Sequence, residues 1–169
     1  MKKINTPLKK EEIGRLKAGE ELLLSGIIYT ARDQAHKRLT RREKIPLNFK
    51  GQIIYYCGPA PKPKGKIMGS CGPTTSSRMD EFTPLLLKKG ILAMIGKGRR
   101  SKAVIEAIKK YRAVYFLTYA GCGALLSKYI QKAAPVIYKD LGPEAIYKLE
   151  VRNFPVIVGV DTRGRSIYD

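Results

Sequence analysis

The chain predicts a mixed α/β domain. Three observations lead there: short apolar runs rich in β-branched and aromatic residues recur along its length, helical patterns separate them, and glycine- or proline-bearing turns divide one from the next. Its 169 residues suffice for one domain, 1–169, with a sizeable core. A chain of this length buries roughly 70% of its unfolded surface, so it needs no disulfide or metal staple. Hydrophobic residues at 44% and charged residues at 28% exclude a collagen-like, disordered or disulfide-framework chain.

Residues 1–12 (MKKINTPLKKEE) read as a polar lead-in. Residues 22–29 (LLLSGIIY) form an apolar run that suits a buried strand. Asp33 follows directly and can cap a helix to about Glu43. On it Arg32, Ala35, His36 and Leu39 share one face, while Lys37, Arg38, Arg41 and Arg42 fall largely outside that stripe and are solvated. Residues 52–57 (QIIYYC) make a second strand. The segment 58–66 (GPAPKPKGK) is an exposed loop, either a flap or a plain surface connection. Further on, residues 67–70, 91–95, 114–119 and 136–138 read as strands, and 75–89, 101–111 and 123–132 as helices. Two last strands at 148–151 and 156–161 precede the turn Thr162-Arg163-Gly164, which opens a terminal hairpin. No internal repeat and no linker to a second domain interrupts this pattern.

Lys and Arg total 33 against 14 Asp and Glu, a net charge of +19. Such a surplus favours anionic partners: nucleic acid, an acidic membrane surface, small carboxylates or an acidic subunit. The basic residues are spread along the chain, without an aromatic RNA-binding motif, a zinc finger or a helix-turn-helix pattern, which weakens the nucleic-acid reading. No apolar run reaches the roughly 18 residues that a membrane span needs. No charged-then-apolar leader opens the chain, and Cys57, Cys71 and Cys122 cannot all pair within it. The expectation is a cytoplasmic protein with reduced thiols.

Stock motifs fail one by one. Residues 90–98 (GILAMIGKG) have the wrong spacing for a phosphate-binding loop, with Gly98 where the magnesium-binding hydroxyl belongs. Gly121-Cys122-Gly123 lacks the third glycine of a dinucleotide fingerprint. The cysteines show no paired metal spacing, and His36 is the only histidine. The strongest local chemistry lies in 69–80 (GSCGPTTSSRMD). Thr74 and Thr75 follow Gly-Pro at an expected helix start, with Arg78 one turn on. Hydroxyls, free amides and a guanidinium make a carboxylate or phosphate receptor; an ordinary capped helix with an exposed arginine accounts equally for the pattern. Lys97, between glycines after a strand, divides in the same way between a ligand-approach loop and a basic surface turn. Arg32 also follows a strand. Three cations at three strand ends make a stronger anion site than any one alone.

Taken together, SGIIYTARDQAHKR (25–38), QIIYYCGP (52–59), GSCGPTTSSRMD (69–80), GILAMIGKG (90–98) and FPVIVGVDTRG (154–164) closely resemble the β subunit of two-subunit class I fumarate hydratases. That region is similar to the C-terminal domain of the single-chain enzymes, and the L-tartrate dehydratase β subunit belongs to the same family. The resemblance implies a swivelling β/β/α-type fold, with a mixed sheet and flanking helices. It implies a hydro-lyase that reversibly hydrates fumarate to L-malate, with L-tartrate or mesaconate as alternative chemistry. It places an oxygen-sensitive [4Fe-4S] cluster on three cysteines of a partner α subunit, so Cys57, Cys71 and Cys122 are not ligands and this chain alone is catalytically incomplete. An α2β2-type assembly follows from the same source.

By resemblance, Arg32, Thr74, Arg78 and Lys97 contact substrate. Arg32 and Arg78 hold carboxylates by forked hydrogen bonds, and Lys97 offsets the dianion and steadies the aci-carboxylate-like transition state. Thr74 corresponds to a residue proposed to move the proton next to a carboxylate, and it needs activation by a neighbour. Asp33 and His36 orient Arg32 or shape the helix.

Overall fold

The computed structural model describes residues 1–41, 44 and 46–169. Strand β1 (Lys2–Asn5) leads into the short helix α1 (Lys10–Ile13), then β2 (Glu21–Thr30) and α2 (Asp33–Arg41). Next come β3 (Ile53–Tyr55), a 3-10 turn (Ser76–Met79), α3 (Thr83–Lys88), β4 (Ala93–Gly96) and α4 (Lys102–Tyr111). The chain closes with β5 (Val114–Leu117), α5 (Gly123–Leu126), β6 (Ile130–Ile137) and β7 (Ile146–Val160).

Strands β1 to β5 lie in sequence order and pair in parallel. The long β7 runs antiparallel to β5, β6 and β2, so the pairings form a circuit β2–β3–β4–β5–β7 and back to β2. All five strands of that circuit send residues to one buried cluster, among them Leu24, Tyr55, Ile95, Phe116 and Val158. The alternate residues of the parallel strands, such as Ile54, Tyr56, Met94 and Tyr115, pack in a second cluster under α2, α3 and α4. Two apolar faces sharing one set of strands give the mixed α/β architecture its layers.

Several expected elements move. The 1–12 lead-in is structured: β1 pairs with β2 and buries only Ile4, and lysines suit such a sheet edge. Residues 67–70 are irregular rather than a strand, because Ala60 N–H bonds Ser70 O and folds the two limbs of the loop together. The helix expected over 75–89 splits in two, since the Asp80 carboxylate is drawn toward Arg100 and the Ser101 amide. The helix expected over 123–132 stops after α5 and a 3-10 turn, and 130–132 instead start β6. Expected strands 148–151 and 156–161 are one strand, bent where Asn153 takes φ 53° and its N–H bonds Ser25 Oγ at 2.9 Å. The terminal turn forms around Asp161, whose carboxylate accepts from Arg163 and Arg165, but only a single bridge, Val160 to Ser166, follows it. The expected helix end at Glu43 lies outside the described residues, as does Arg42. Ala35, His36 and Leu39 are buried on one face of α2, as their spacing predicts.

Candidate active site

The parallel strands β2, β3 and β4 finish along one edge, and each is followed by a chemically distinctive residue: Arg32, Gly58 and Lys97. The crevice outside the carboxyl ends of parallel strands is where open α/β sheets receive ligands. Neighbours β3 and β4 stay paired as far as the bond from Tyr56 N–H to Ile95 O, 2.9 Å. There the segment 74–76 enters between them. Thr74 N–H donates to Tyr56 O at 2.7 Å, and Ser76 N–H to Lys97 O at 3.0 Å. Thr75 and Lys97 thereby pair as in a parallel sheet. This wedge corrects the helix-start reading: the Thr74 and Ser76 amides are engaged in strand-like bonds, not free to cradle an anion. What it does instead is pair Thr75 with Lys97 at the sheet edge and anchor Thr74, one residue earlier, on Tyr56 O.

Arg32, not Asp33, occupies the cap of α2, because its carbonyl accepts the first helical bond from His36 N–H at 2.9 Å. The Asp33 carboxylate is therefore released for other work. It takes Arg78 in a forked pair, Nε to Oδ1 at 3.2 Å and Nη2 to Oδ2 at 2.7 Å. Arg32 Nη2 lies 3.9 Å from the same Oδ2. One carboxylate thus gathers both guanidinium groups, while Arg78 stays 51% exposed and free to meet a second anion. Arg32 folds over Gly58, where a Cβ would come within 2.8 Å of its Cδ. Its Nε is buried without a hydrogen-bond partner among the described residues.

His36 sits beneath this pair. Its Nδ1 is 2.7 Å from Arg32 O, which can only accept, so Nδ1 carries the proton and the ring steadies the Arg32 backbone. Burial pulls its pKa down to about 4; the Arg32 carbonyl and Asp33 raise it, and the Arg100 charge lowers it. Packed against Tyr56 and Phe82, it is a neutral structural imidazole that faces the core.

Sequence reasoning missed a buried polar network behind the edge. Arg100 donates from Nε to Asp80 at 2.8 Å and from Nη2 to Thr83 Oγ1 at 2.9 Å and Tyr56 OH at 3.1 Å. Its guanidinium carbon stands 4.8 Å from the Tyr115 ring centre and 5.2 Å from that of Tyr56. Burial works against the charge, but the Tyr56, Asp80 and Tyr115 oxygens outweigh it. Nothing in residue spacing couples Tyr56, Asp80, Arg100 and Tyr115, because separate segments of the chain bring them together.

The cysteines lie apart from this edge chemistry. Cys57 and Cys71 are buried thiols directed at each other, and the Cys71 contact together with burial pushes Cys57 up, away from thiolate. Cys122 is half-buried between glycines. Among the described residues, no three His, Cys, Asp or Glu side chains gather as a metal-binding group. No helix among them is long and apolar enough to cross a membrane.

A family described as Fumarase C-terminus matches residues 2–169. A Methanocaldococcus jannaschii protein provisionally named L(+)-tartrate dehydratase subunit beta is 40% identical over 96% of this chain and 88% of its own length. The Escherichia coli L(+)-tartrate dehydratase subunit beta is 33% identical over 99% of this chain and 87% of its own. Leishmania major fumarate hydratase 1, mitochondrial, is 37% identical over 100% of this chain, which spans only 32% of that longer protein.

Proposed function

The chain belongs to the fumarase C-terminus family, and on that premise we propose that it is the β-type subunit of a two-subunit hydro-lyase. Its substrate is a small dicarboxylate, and its reaction is the reversible addition of water across the double bond of fumarate to give L-malate. The observation that carries this reading is the cationic edge. Arg32 and Lys97 follow the carboxyl ends of β2 and β4, and Asp33 draws Arg78, from the 3-10 turn, toward Arg32. Three cations less one carboxylate leave two positive charges, the complement of a dicarboxylate dianion.

The roles follow from donor chemistry. Arg78 and Arg32 present planar forks to carboxylates, and Asp33 fixes the plane of the Arg78 fork. Lys97 supplies a point charge where negative charge builds as the proton leaves the carbon next to a carboxylate. Thr74, next in the chain to Thr75, the bridge partner of Lys97, handles that proton. In the dehydration direction this carbon loses a proton and its neighbour loses hydroxide, so water and the double bond form together in the balance. A threonine hydroxyl is a poor base, and the group that activates it comes from the partner subunit. The three cysteines do not fit a cluster: two are buried against each other in the core and the third does not join them in a ligand set. On this reading, as the family resemblance implies, the [4Fe-4S] group is held by the α subunit and the active assembly contains both chains.

A second reading has its own support. The two tartrate dehydratase β subunits match this chain over nearly their whole length, which favours L-tartrate as substrate on the same residues. The deciding experiment is co-expression with an α-type partner, anaerobic purification, and assays with fumarate and with L-tartrate, each subunit alone as control. Turnover of fumarate only by the complex supports the first reading, and turnover of tartrate alone moves the chain to the second. A cluster-loaded complex inert toward both would sink the hydro-lyase assignment.

A further inference from the structure

We infer that Ser76 and Tyr115 are positioning residues, a pair of hydroxyls that holds the Lys97–Gly98 turn and so sets the place of the Lys97 ammonium. Resting on the reading of Lys97 as a substrate-binding group, the inference concerns how the chain keeps that group in register. Lys97 N–H donates to Ser76 Oγ at 3.1 Å. Tyr115 OH lies 2.7 Å from the same Oγ and 2.9 Å from Gly98 O. A phenol has one proton, and a carbonyl can only accept. That proton is shared between Ser76 Oγ and Gly98 O, so Ser76 Oγ accepts from both Lys97 N–H and Tyr115 OH. Lys97 N–H, the two hydroxyls and Gly98 O thereby close a ring around the turn.

The rest of the molecule is built to keep this ring intact. Tyr115 is fully buried in β5, and burial pushes its phenol well up, so it remains a proton donor. Arg100 lies over its ring and fixes its plane. Ser76 is also buried, and its amide bonds back to Lys97 O, so the turn is gripped on both flanks. Gly96 makes room for it: a Cβ there would overlap Ser76 Oγ. Gly98 itself has φ +82° and open space around it, so the turn has no packing of its own at that residue. The two hydroxyls and the Ser76 amide hold it from below.

The test is a mutant cycle in the assembled αβ enzyme, assayed with whichever of fumarate or L-tartrate it turns over. Tyr115→Phe keeps the ring under Arg100 and removes one oxygen; Ser76→Ala breaks the same ring from the other side. Misplacing a binding group by about 1 Å can cost about a hundredfold in rate. Each variant is expected to lower kcat/KM about tenfold to a hundredfold, and their double variant to be little worse than either. The distinguishing readout is the background. Tyr115→Phe adds no further loss to Lys97→Met, yet costs its full factor on Arg78→Lys. A merely structural role would cost the same on both backgrounds, and that outcome, or kinetics near wild type for both hydroxyl variants, overturns the inference. If Lys97→Met itself leaves kcat/KM intact, the reading of Lys97 falls and this inference falls with it. A costly Lys97→Met beside silent hydroxyl variants overturns the inference alone.

Discussion

Asp33 is the residue on which the arrangement of the edge turns. A carboxylate beside two arginines looks self-defeating in an anion site, yet its geometry explains it. Asp33 uses both oxygens on Arg78 and leaves that arginine half exposed, so it holds the fork in place while an outer face remains open. A lysine at position 78 keeps the charge and loses the fork. Charge-assisted hydrogen bonds contribute about 1.5–3 kcal/mol, so Arg78→Lys is expected to lower kcat/KM of the assembled enzyme about tenfold to a hundredfold without disturbing assembly. Steady-state kinetics beside gel filtration checks both halves, and wild-type kinetics would remove Arg78 from the site. His36 offers a test that needs no substrate. Its pKa is about 4 in the folded chain, against about 6.5 for an unperturbed histidine. Above the unfolded value both states are neutral and the group contributes no slope. Between the two values the unfolded chain binds a proton that the folded one refuses, so stability falls as pH falls, by about 1.4 kcal/mol per unit, and levels off below the folded value. Comparing denaturation of the wild type and His36→Asn at neutral pH and near pH 5 isolates this share, since asparagine retains a donor toward Arg32 O; identical pH slopes would show that the ring titrates normally.

At the scale of elements, the strands were legible because β-branched and aromatic runs bounded by turn residues admit few other structures. Segments 22–29, 52–57, 91–95 and 114–119 each correspond to a parallel strand within a few residues. The strand ends were legible too, and with them Arg32 and Lys97. What could not be read was the entry of 74–76 between β3 and β4, because a strand-like wedge three residues long has no period. It appears only where two parallel strands part and a third backbone satisfies their orphan groups. The glycine before Lys97 belongs to this device. Sequence reasoning divided it between a ligand-approach loop and a basic surface turn, whereas the space it leaves is filled by Ser76 and the Tyr56 ring. Gly96→Ala is therefore expected to cost about 1–3 kcal/mol, the range for forcing extra volume into a packed core. It should also depress activity, because the displaced Ser76 carries the Lys97 turn with it. Urea denaturation of the isolated chain gives the first number; a stability equal to the wild type would mean that the wedge yields without strain.

For the whole molecule, the proposed function sets a fold with its own cores beside half of a shared site. The strand circuit surrounds one apolar cluster and α2, α3 and α4 cover the other, so the chain has its own cores without a partner. Its chemistry, by contrast, lies on one edge and is almost wholly cationic. On the proposed reading it binds and orients a dianion, and the base that activates Thr74 comes from the partner. That division of labour predicts where the cluster's ligands are. Cys57 and Cys71 are fully buried and face each other, so recruiting either to an iron would require opening the core at the Tyr55 and Phe154 contact that packs around them. Replacing Cys57, Cys71 and Cys122 together by alanine is accordingly expected to lower stability, through lost packing, while leaving the iron and sulfide content of the anaerobically purified complex unchanged. Iron analysis on complex that still elutes at the wild-type volume makes the comparison fair. Loss of iron from an intact assembly would mean that this chain carries ligands after all. The cationic edge would then have to be read as the surround of its own cluster rather than as half of a shared site.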